Sequence, residues 1–422
     1  MIITNSRAYT ECFLQLANVL DLDENRPTYH SWRVAAVAYQ MGLLLNSTNL
    51  QEIFWSGLLH DIGAFGYNDF TVSTSESISV LEKDKILNHP LKSARIIQKE
   101  LPGEVSAVAE FVKYHHEKFD GTGFPEGLSG NDIPICSQII KIADDFDTAL
   151  RMIPEISKKD IYEMFRRNID REYSAQMVSL LLETLEKDDF FAKIEIGARV
   201  PIVVYEILDS LPVYKMFLGA DLLEKITTVF ADIIDAKHEE TLGHSGRVAA
   251  YSQHIAEVLK LNPKDIIKVK MAGFMHDIGK SAVPRNILNK SDNLSPFEWH
   301  VIKGHPVLTM DILRKMSVFS DIVEIAGYHH ERLNGSGYPS GLPAESIPFL
   351  ARIIIVADVF DAMTSGRRYQ KYISREEAID YMIAQKNILF DADAVEAMVE
   401  VASGELKKLA ADKLSGRAGE TH

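Results

Sequence analysis

Between Tyr29 and Leu45, apolar residues fall at Val34, Val37, Ala38, Met41, Leu44 and Leu45, the spacing of a helix with one buried face. The same period runs through Leu222, Ile226, Val229, Phe230 and Ile233. Pro263 after Asn262 reads as a helix start, because proline's missing N–H is not needed in a first turn; that helix is predicted to reach His276 and Asp277. The coarse reading is helical throughout, which makes the fold class all-α. Gly197, Pro201 and Pro212 interrupt the pattern between about 190 and 215, so two domains are expected, 1–200 and 216–422. The Lys-, Gly- and Ala-rich tail beyond Ser403 is expected to be peripheral.

Comparing the chain with itself explains the division. His115-His116-Glu117 followed by Gly121 to Leu128 (GTGFPEGL) matches His329-His330-Glu331 followed by Gly335 to Leu342 (GSGYPSGL), 214 residues on. Leu59-His60-Asp61-Ile62-Gly63 matches Met275-His276-Asp277-Ile278-Gly279, 216 residues on. His89-Pro90 corresponds to His305-Pro306, Asp144 to Asp358, and His30-Ser31 to His244-Ser245. In each half, 29 residues separate the His-Asp pair from the next histidine, and 29 separate the His-His pair from the later aspartate. Ten of the fourteen histidines sit in matched places. A single histidine on an apolar helix face is ordinarily a satisfied core residue, but ten histidines and four aspartates recurring in one order point to metal ligation.

Composition narrows the chemistry. A length of 422 residues with 46% hydrophobic and 25% charged residues describes a globular protein too long for one ordinary core. The formal charge of −15 argues against a duplex nucleic-acid binder, which needs a broad basic surface for counterion release, so an anionic substrate would need local cations. Cys12 and Cys136 have neither metal-site spacing nor a disulfide framework, which suggests a reducing compartment. The first twenty residues mix Asn, Arg, Glu and Gln among apolar ones, unlike a signal peptide, and no apolar run approaches membrane-spanning length. A cytoplasmic protein without membrane association is expected.

The stretch from His329 to Leu342 joins a His-His pair to a loop containing Gly335, Gly337 and Gly341. Imidazole pairs favour transition metals, and glycine lets backbone approach phosphate, so the stretch suggests metal-assisted phosphoester chemistry. HDIGK at 276–280, HHE at 329–331, GSGYP at 335–339 and ADVFDAMTS at 357–365 are the residues by which the second half resembles the HD-GYP phosphodiesterases, a subgroup of the HD metal-dependent phosphohydrolases. The first half resembles a degenerate copy, and the tandem arrangement is similar to that of the Vibrio-type 3',3'-cGAMP phosphodiesterases. The resemblance implies tandem HD-type helical domains, two or three divalent iron or manganese ions, and hydrolysis of a cyclic dinucleotide such as 3',3'-cGAMP or c-di-GMP to a linear 5'-phosphorylated dinucleotide.

On that basis His244, His276, Asp277 and Asp358 are expected to hold one metal, and His305, His329 and His330 a second, with Asp277 bridging. A cation pair of this kind acidifies water for in-line attack on phosphorus. Glu240, one helical turn before His244, is the candidate ligand for a third metal. Lys280 is a candidate catalytic charge for a phosphate oxygen or departing alkoxide, alongside Asp277. Arg332, Gly335, Gly337, Tyr338, Asp361, Arg367 and Arg368 are candidate substrate contacts. Asn334, Arg368 and Gln370 depart from the family pattern and leave the base identity open.

In the first half, His30, His60, Asp61, His89, His115, His116 and Asp144 form a candidate second metal centre. Arg26 stands where Glu240 would be, Ala64 for Lys280, Lys118 for Arg332 and Phe124 for Tyr338, so metal binding without turnover is expected there, in a structural or regulatory role exerted through contact between the two domains. A second copy of the chain is a further candidate partner. The alternatives are a phosphohydrolase of another nucleotide, against which the GSGYP segment argues, and a non-catalytic signalling module, against which the complete ligand set of the second half argues.

Overall fold

The computed structural model describes residues 2–22, 29–64, 80–101, 105–153, 155–218, 220–237, 243–290, 292–365 and 373–416. Two compact units form, Met1–Ile226 and Thr227–His422, each built of helices. The described strands are Ile2–Asn5 and Lys215–Leu218, an antiparallel pair in the first unit. Among the described residues no helix is long and apolar enough to cross a membrane.

The expected helices are present, with physical reasons for their ends. His30–Leu44 follows Tyr29, and Val34, Val37, Ala38 and Met41 are fully buried on it. Ala220–Lys237 contains the second periodic stretch. Pro263–Met275 starts where its proline indicated: the Asn262 side chain accepts from Asp265 N at 3.1 Å, satisfying a first-turn donor, and His276 closes the helix. Pro201 does not interrupt a helix; it lies in the first turn of Val200–Ser210, where a missing N–H is harmless. That helix buries Val200, Val203, Val204, Ile207 and Leu208 within the first unit. Past Ser403 the backbone continues as the last helix, Ala392–Gly416.

The two units repeat one packing plan. In the first, His30–Leu44 packs against Leu50–Leu59 and Ile135–Met152; in the second, His244–Val258 packs against Pro263–Met275 and Phe349–Thr364. These helices bring the first histidine, the His-Asp pair and the last aspartate of each half together. Val80–Glu100 and His305–Leu313 carry the next histidine, and the His-His pairs follow Ser106–Lys113 and Val323–Gly327.

Candidate metal centres

In the second unit, His244 begins one helix, His276 and Asp277 end another, His305 begins a third, and Asp358 lies inside a fourth. Helix ends suit this task, because a terminal residue can turn its side chain across the bundle axis. Two groups of potential ligand atoms result, His244 with His276 and Asp358, and Asp277 with His305, His329 and His330. Asp277 joins them. Its Oδ2 lies 3.3 Å from His276 Nε2 and 3.8 Å from His244 Nε2, while Oδ1 lies 3.2 Å from His305 Nε2 and 3.6 Å from His329 Nε2.

The far side of each ring fixes its tautomer. His276 Nδ1 faces Gly273 O at 2.8 Å, His305 Nδ1 faces Ile302 O at 2.7 Å and His329 Nδ1 faces Ala326 O at 2.7 Å. A carbonyl only accepts, so each Nδ1 carries the proton and each Nε2 turns a lone pair inward. Burial, helped by neighbouring imidazoles at His329, holds the His329, His330 and His305 rings below the usual histidine range. Burial would raise Asp277, but His276 and Lys280 outweigh it and hold the carboxyl well below its usual range. Neutral His305, His329 and His330 beside charged carboxylates are forms that bind a cation, whereas His244, despite its burial, is pushed up to about 9 by Asp358 and Asp361, so a cation there would have to displace its proton.

Buried polar atoms test the fit. His244 Nε2, His276 Nε2 and Asp277 Oδ1 are buried without a hydrogen bond. Each such atom costs roughly 1–3 kcal/mol unless another interaction compensates, and a divalent cation is what this donor set accepts.

The first unit rebuilds the arrangement. Asp61 Oδ2 lies 3.5 Å from His30 Nε2 and 3.4 Å from His60 Nε2, and Oδ1 lies 3.1 Å from His89 Nε2 and 3.9 Å from His115 Nε2. His89, His115 and His116 form one group, and His30, His60 and Asp61 another. Asp144 Oδ1 lies 3.5 Å from His30 Nε2. Burial raises its carboxyl, whereas Asp358, buried among His244, His276 and His330, is held well below its usual range.

Three expected substrate contacts are built into the frame instead. Asp361 is buried behind His244, 2.7 Å from its Nδ1, and accepts from Arg247 Nε at 2.7 Å and Ser365 Oγ at 2.8 Å, so it sets the orientation of the His244 ring. Gly337 packs so tightly that a Cβ would lie 2.4 Å from Glu331 Cα. Gly335 is used for its positive φ of 74° at the loop corner. The loop's N–H groups also face inward: Ser340 N and Leu342 N donate to the Glu331 carboxylate at 2.8 and 3.0 Å, Gly335 N to Arg332 O, and Tyr338 N to His330 O. Those donors are not offered to a phosphate. Tyr338 leans on His330 with ring centres 4.6 Å apart, and Arg332 donates to Glu331 O at 2.8 Å. Lys280 Nζ sits 2.5 Å from Asp277 Oδ2 with its side chain 17% exposed, so it reaches both the cluster and solvent. Glu240, Arg367, Arg368 and Arg26 lie outside the described residues.

Glu331 and Glu117 were missed as loop organisers, although both were visible in the HHE motif; Glu117 accepts from Glu126 N, Gly127 N and Leu128 N at 2.8, 3.1 and 3.0 Å. The Asp-Arg pairs behind His244 and His30 were also missed. Their signal was the second aspartate three residues after each ligand aspartate, at 361 and 147.

Helical packing around paired His/Asp clusters occurs twice, each pair of clusters offering the donor set of a divalent-metal site. The HD-domain family pattern matches residues 14–163 and 228–394, and the chain belongs to the HD domain family. It is 29% identical to the 3'3'-cGAMP-specific phosphodiesterase 3 of Vibrio cholerae, covering 93% of this chain and 94% of that protein. A cyclic di-GMP phosphodiesterase response regulator of Xanthomonas campestris is 41% identical over 34% of this chain and 39% of its own length. The crystal structure of a cyclic GMP-AMP-specific phosphodiesterase of V. cholerae superimposes with a TM-score of 0.66 at 25% identity, covering 94% of this chain and 97% of that one.

Proposed function

We propose that the chain is a metal-dependent phosphodiesterase that opens a cyclic dinucleotide, 3',3'-cGAMP or c-di-GMP, to a linear 5'-phosphorylated dinucleotide, with the second half catalytic and the first half structural or regulatory. The observation carrying this reading is Asp277, whose two oxygens face two separate groups of inward-turned, buried imidazoles beside Lys280. Relatives named as cyclic-dinucleotide phosphodiesterases along most of the chain support the substrate class.

His244, His276 and Asp358 would hold one cation and His305, His329 and His330 another, with Asp277 shared; iron or manganese suits a mixed imidazole and carboxylate set. Bound there, the ions would supply charge on phosphate oxygens and lower the pKa of an attacking water. The protein's own contributions are orientation and charge. Backbone carbonyls and Asp361 hold the rings in ligand tautomers. Lys280, half-buried beside Asp277, would meet negative charge developing on a phosphate or leaving oxygen. Arg332, Tyr338, Arg367 and Arg368 are proposed as contacts for the dinucleotide's phosphates and bases, and Glu240 as a ligand to a third cation.

Anaerobically purified protein with quantified metal should hydrolyse a member of a cyclic-dinucleotide panel, and His276→Ala should not. Turnover by folded, metal-depleted His276→Ala protein would defeat the assignment. Glu240→Ala should lower the metal count by about one ion, as loss of a ligand predicts.

A further inference from the structure

The helix Pro296–Lys303 ends two residues before His305, and its last side chain reaches the glycine-rich loop of the second half. Lys303 Nζ stands 5.4 Å from the centre of the Tyr338 ring, and that ring leans on His330 with centres 4.6 Å apart. Exposure rises along this row. His305 is fully buried, the His330 side chain is 19% exposed, Tyr338 is half-buried and Lys303 is open to solvent, so the row leads from the His/Asp cluster to the surface.

The polar ends of the row are not used within the fold. Among the described residues Lys303 Nζ has no carboxylate at ion-pair distance, and the Tyr338 hydroxyl has no hydrogen-bond partner. An ammonium over an aromatic face at an exposed site adds little to folding. The neighbouring cations are committed elsewhere: Lys280 to Asp277 Oδ2 at 2.5 Å, and Arg332 to Glu331 O at 2.8 Å with its guanidinium over the Phe390 ring.

The first half separates packing from charge. Leu87 stands two residues before His89, as Lys303 does before His305, and Phe124 stands in the place of Tyr338. Phe124 still stacks on His116, with ring centres 4.8 Å apart, and Leu87 is 41% exposed. The ring contact is therefore common to both halves and the position before the histidine lies at the surface in both. The ammonium and the hydroxyl belong to the second half alone, the one that also carries Lys280.

A cyclic dinucleotide has two phosphodiesters on opposite sides of its ring. With one of them over the cluster beside Asp277 and Lys280, the other is carried away from it and needs a cation of its own, because the chain as a whole has a formal charge of −15. We propose that Lys303, held over the Tyr338 ring, is a substrate-binding residue that receives the phosphate not being cleaved. The inference rests on reading the second half as a cyclic-dinucleotide phosphodiesterase. An ammonium suits the task as a compact charge with three donors that can follow a phosphate at the edge of the site.

The test uses the full-length chain loaded with Mn²⁺, with ions counted by mass spectrometry and folding checked by circular dichroism. Lys303→Leu should raise KM for the cyclic dinucleotide about ten- to a hundredfold, the range for a hydrogen bond to a charged group, with kcat within about twofold and the ion count unchanged. Lys303→Arg should restore most of the loss, since a guanidinium also binds phosphate. On bis(p-nitrophenyl) phosphate, a diester with a single phosphate, Lys303→Leu should match the unaltered chain. An unchanged KM for the cyclic dinucleotide in folded Lys303→Leu overturns the proposal. So does a fall in ion count, or an equal loss on the single-phosphate diester, either of which would place Lys303 at the cluster itself. Failure of the unaltered chain to hydrolyse any cyclic dinucleotide would refute the proposed function; calorimetric titration with the same panel then judges Lys303 alone, and equal affinity in the unaltered chain and Lys303→Leu, or binding by neither, sinks it.

Discussion

The two His/Asp clusters share their skeleton and part company in what surrounds it. Both use one aspartate shared between two imidazole groups, Asp61 and Asp277, and both fold a glycine-rich loop onto a buried glutamate. The second half keeps Lys280 where the first has Ala64. Arg332 lies against His329 and the Phe390 ring, while its counterpart Lys118 is paired with Glu172 at 2.8 Å. The first half also carries Arg151 behind His30. Both halves therefore keep the histidine and aspartate set and differ in the cations around it.

The largest expected contrast comes from the shared aspartates. Asp277→Ala should lower hydrolysis by about a thousandfold or more, beyond the loss of a single transition-state donor, whereas Asp61→Ala should lower metal content with a far smaller effect on rate. Steady-state kinetics with metal counts on both variants checks this, and equal rate losses would erase the asymmetry. Next, Lys280→Ala should reduce kcat roughly a hundredfold while leaving the ion count intact, as befits a charge that stabilises and does not ligate. Loss of an ion from that variant would make Lys280 part of the metal frame. Asp361→Asn should weaken Mn²⁺ binding about ten- to a hundredfold in a metal titration, because the amide cannot replace the carboxylate that orients His244 and pairs with Arg247. An unaltered isotherm would show that His244 needs no such support.

The clustering of the histidines and aspartates was legible in the sequence because the repeat displayed them twice at nearly fixed spacing, and the folded chain brings them together. The all-helical fold followed from the apolar period and from Asn262-Pro263. Other features were hidden for identifiable reasons. Glycine permits a tight loop and close phosphate approach alike, so GSGYP could not reveal that Gly337 packs on Glu331. Arg151 is seven residues from Asp144 and more than a hundred from His30, and only the folded chain shows which ring it meets. Pro201 had the residue type of a helix breaker and the position of a helix start.

The smallest effect expected is one the two halves should share. Glu331→Ala and Glu117→Ala each remove a buried carboxylate that accepts from part-buried backbone N–H groups, so each should destabilise its unit by about 1–3 kcal/mol. At roughly 2–4 °C per kcal/mol for units of this size, calorimetry should detect similar shifts. A shift confined to one variant would mean that the loops are not equivalent supports.

Gly279 has a consequence for how such a chain can diverge. A Cβ there would lie 2.0 Å from His305 O and 2.6 Å from Thr309 N, and one at Gly63 would lie 2.6 Å from His89 O and 2.5 Å from Ser93 N. The absent side chain lets the turn after the His-Asp pair rest directly on the helix bearing the next histidine, setting the separation of the two ligand groups. The neighbouring position, Lys280 or Ala64, touches no such constraint. A duplicated copy can therefore retire its chemistry in one substitution while its spacing stays locked, and regaining the lost residues is a shorter road than rebuilding the distance between them.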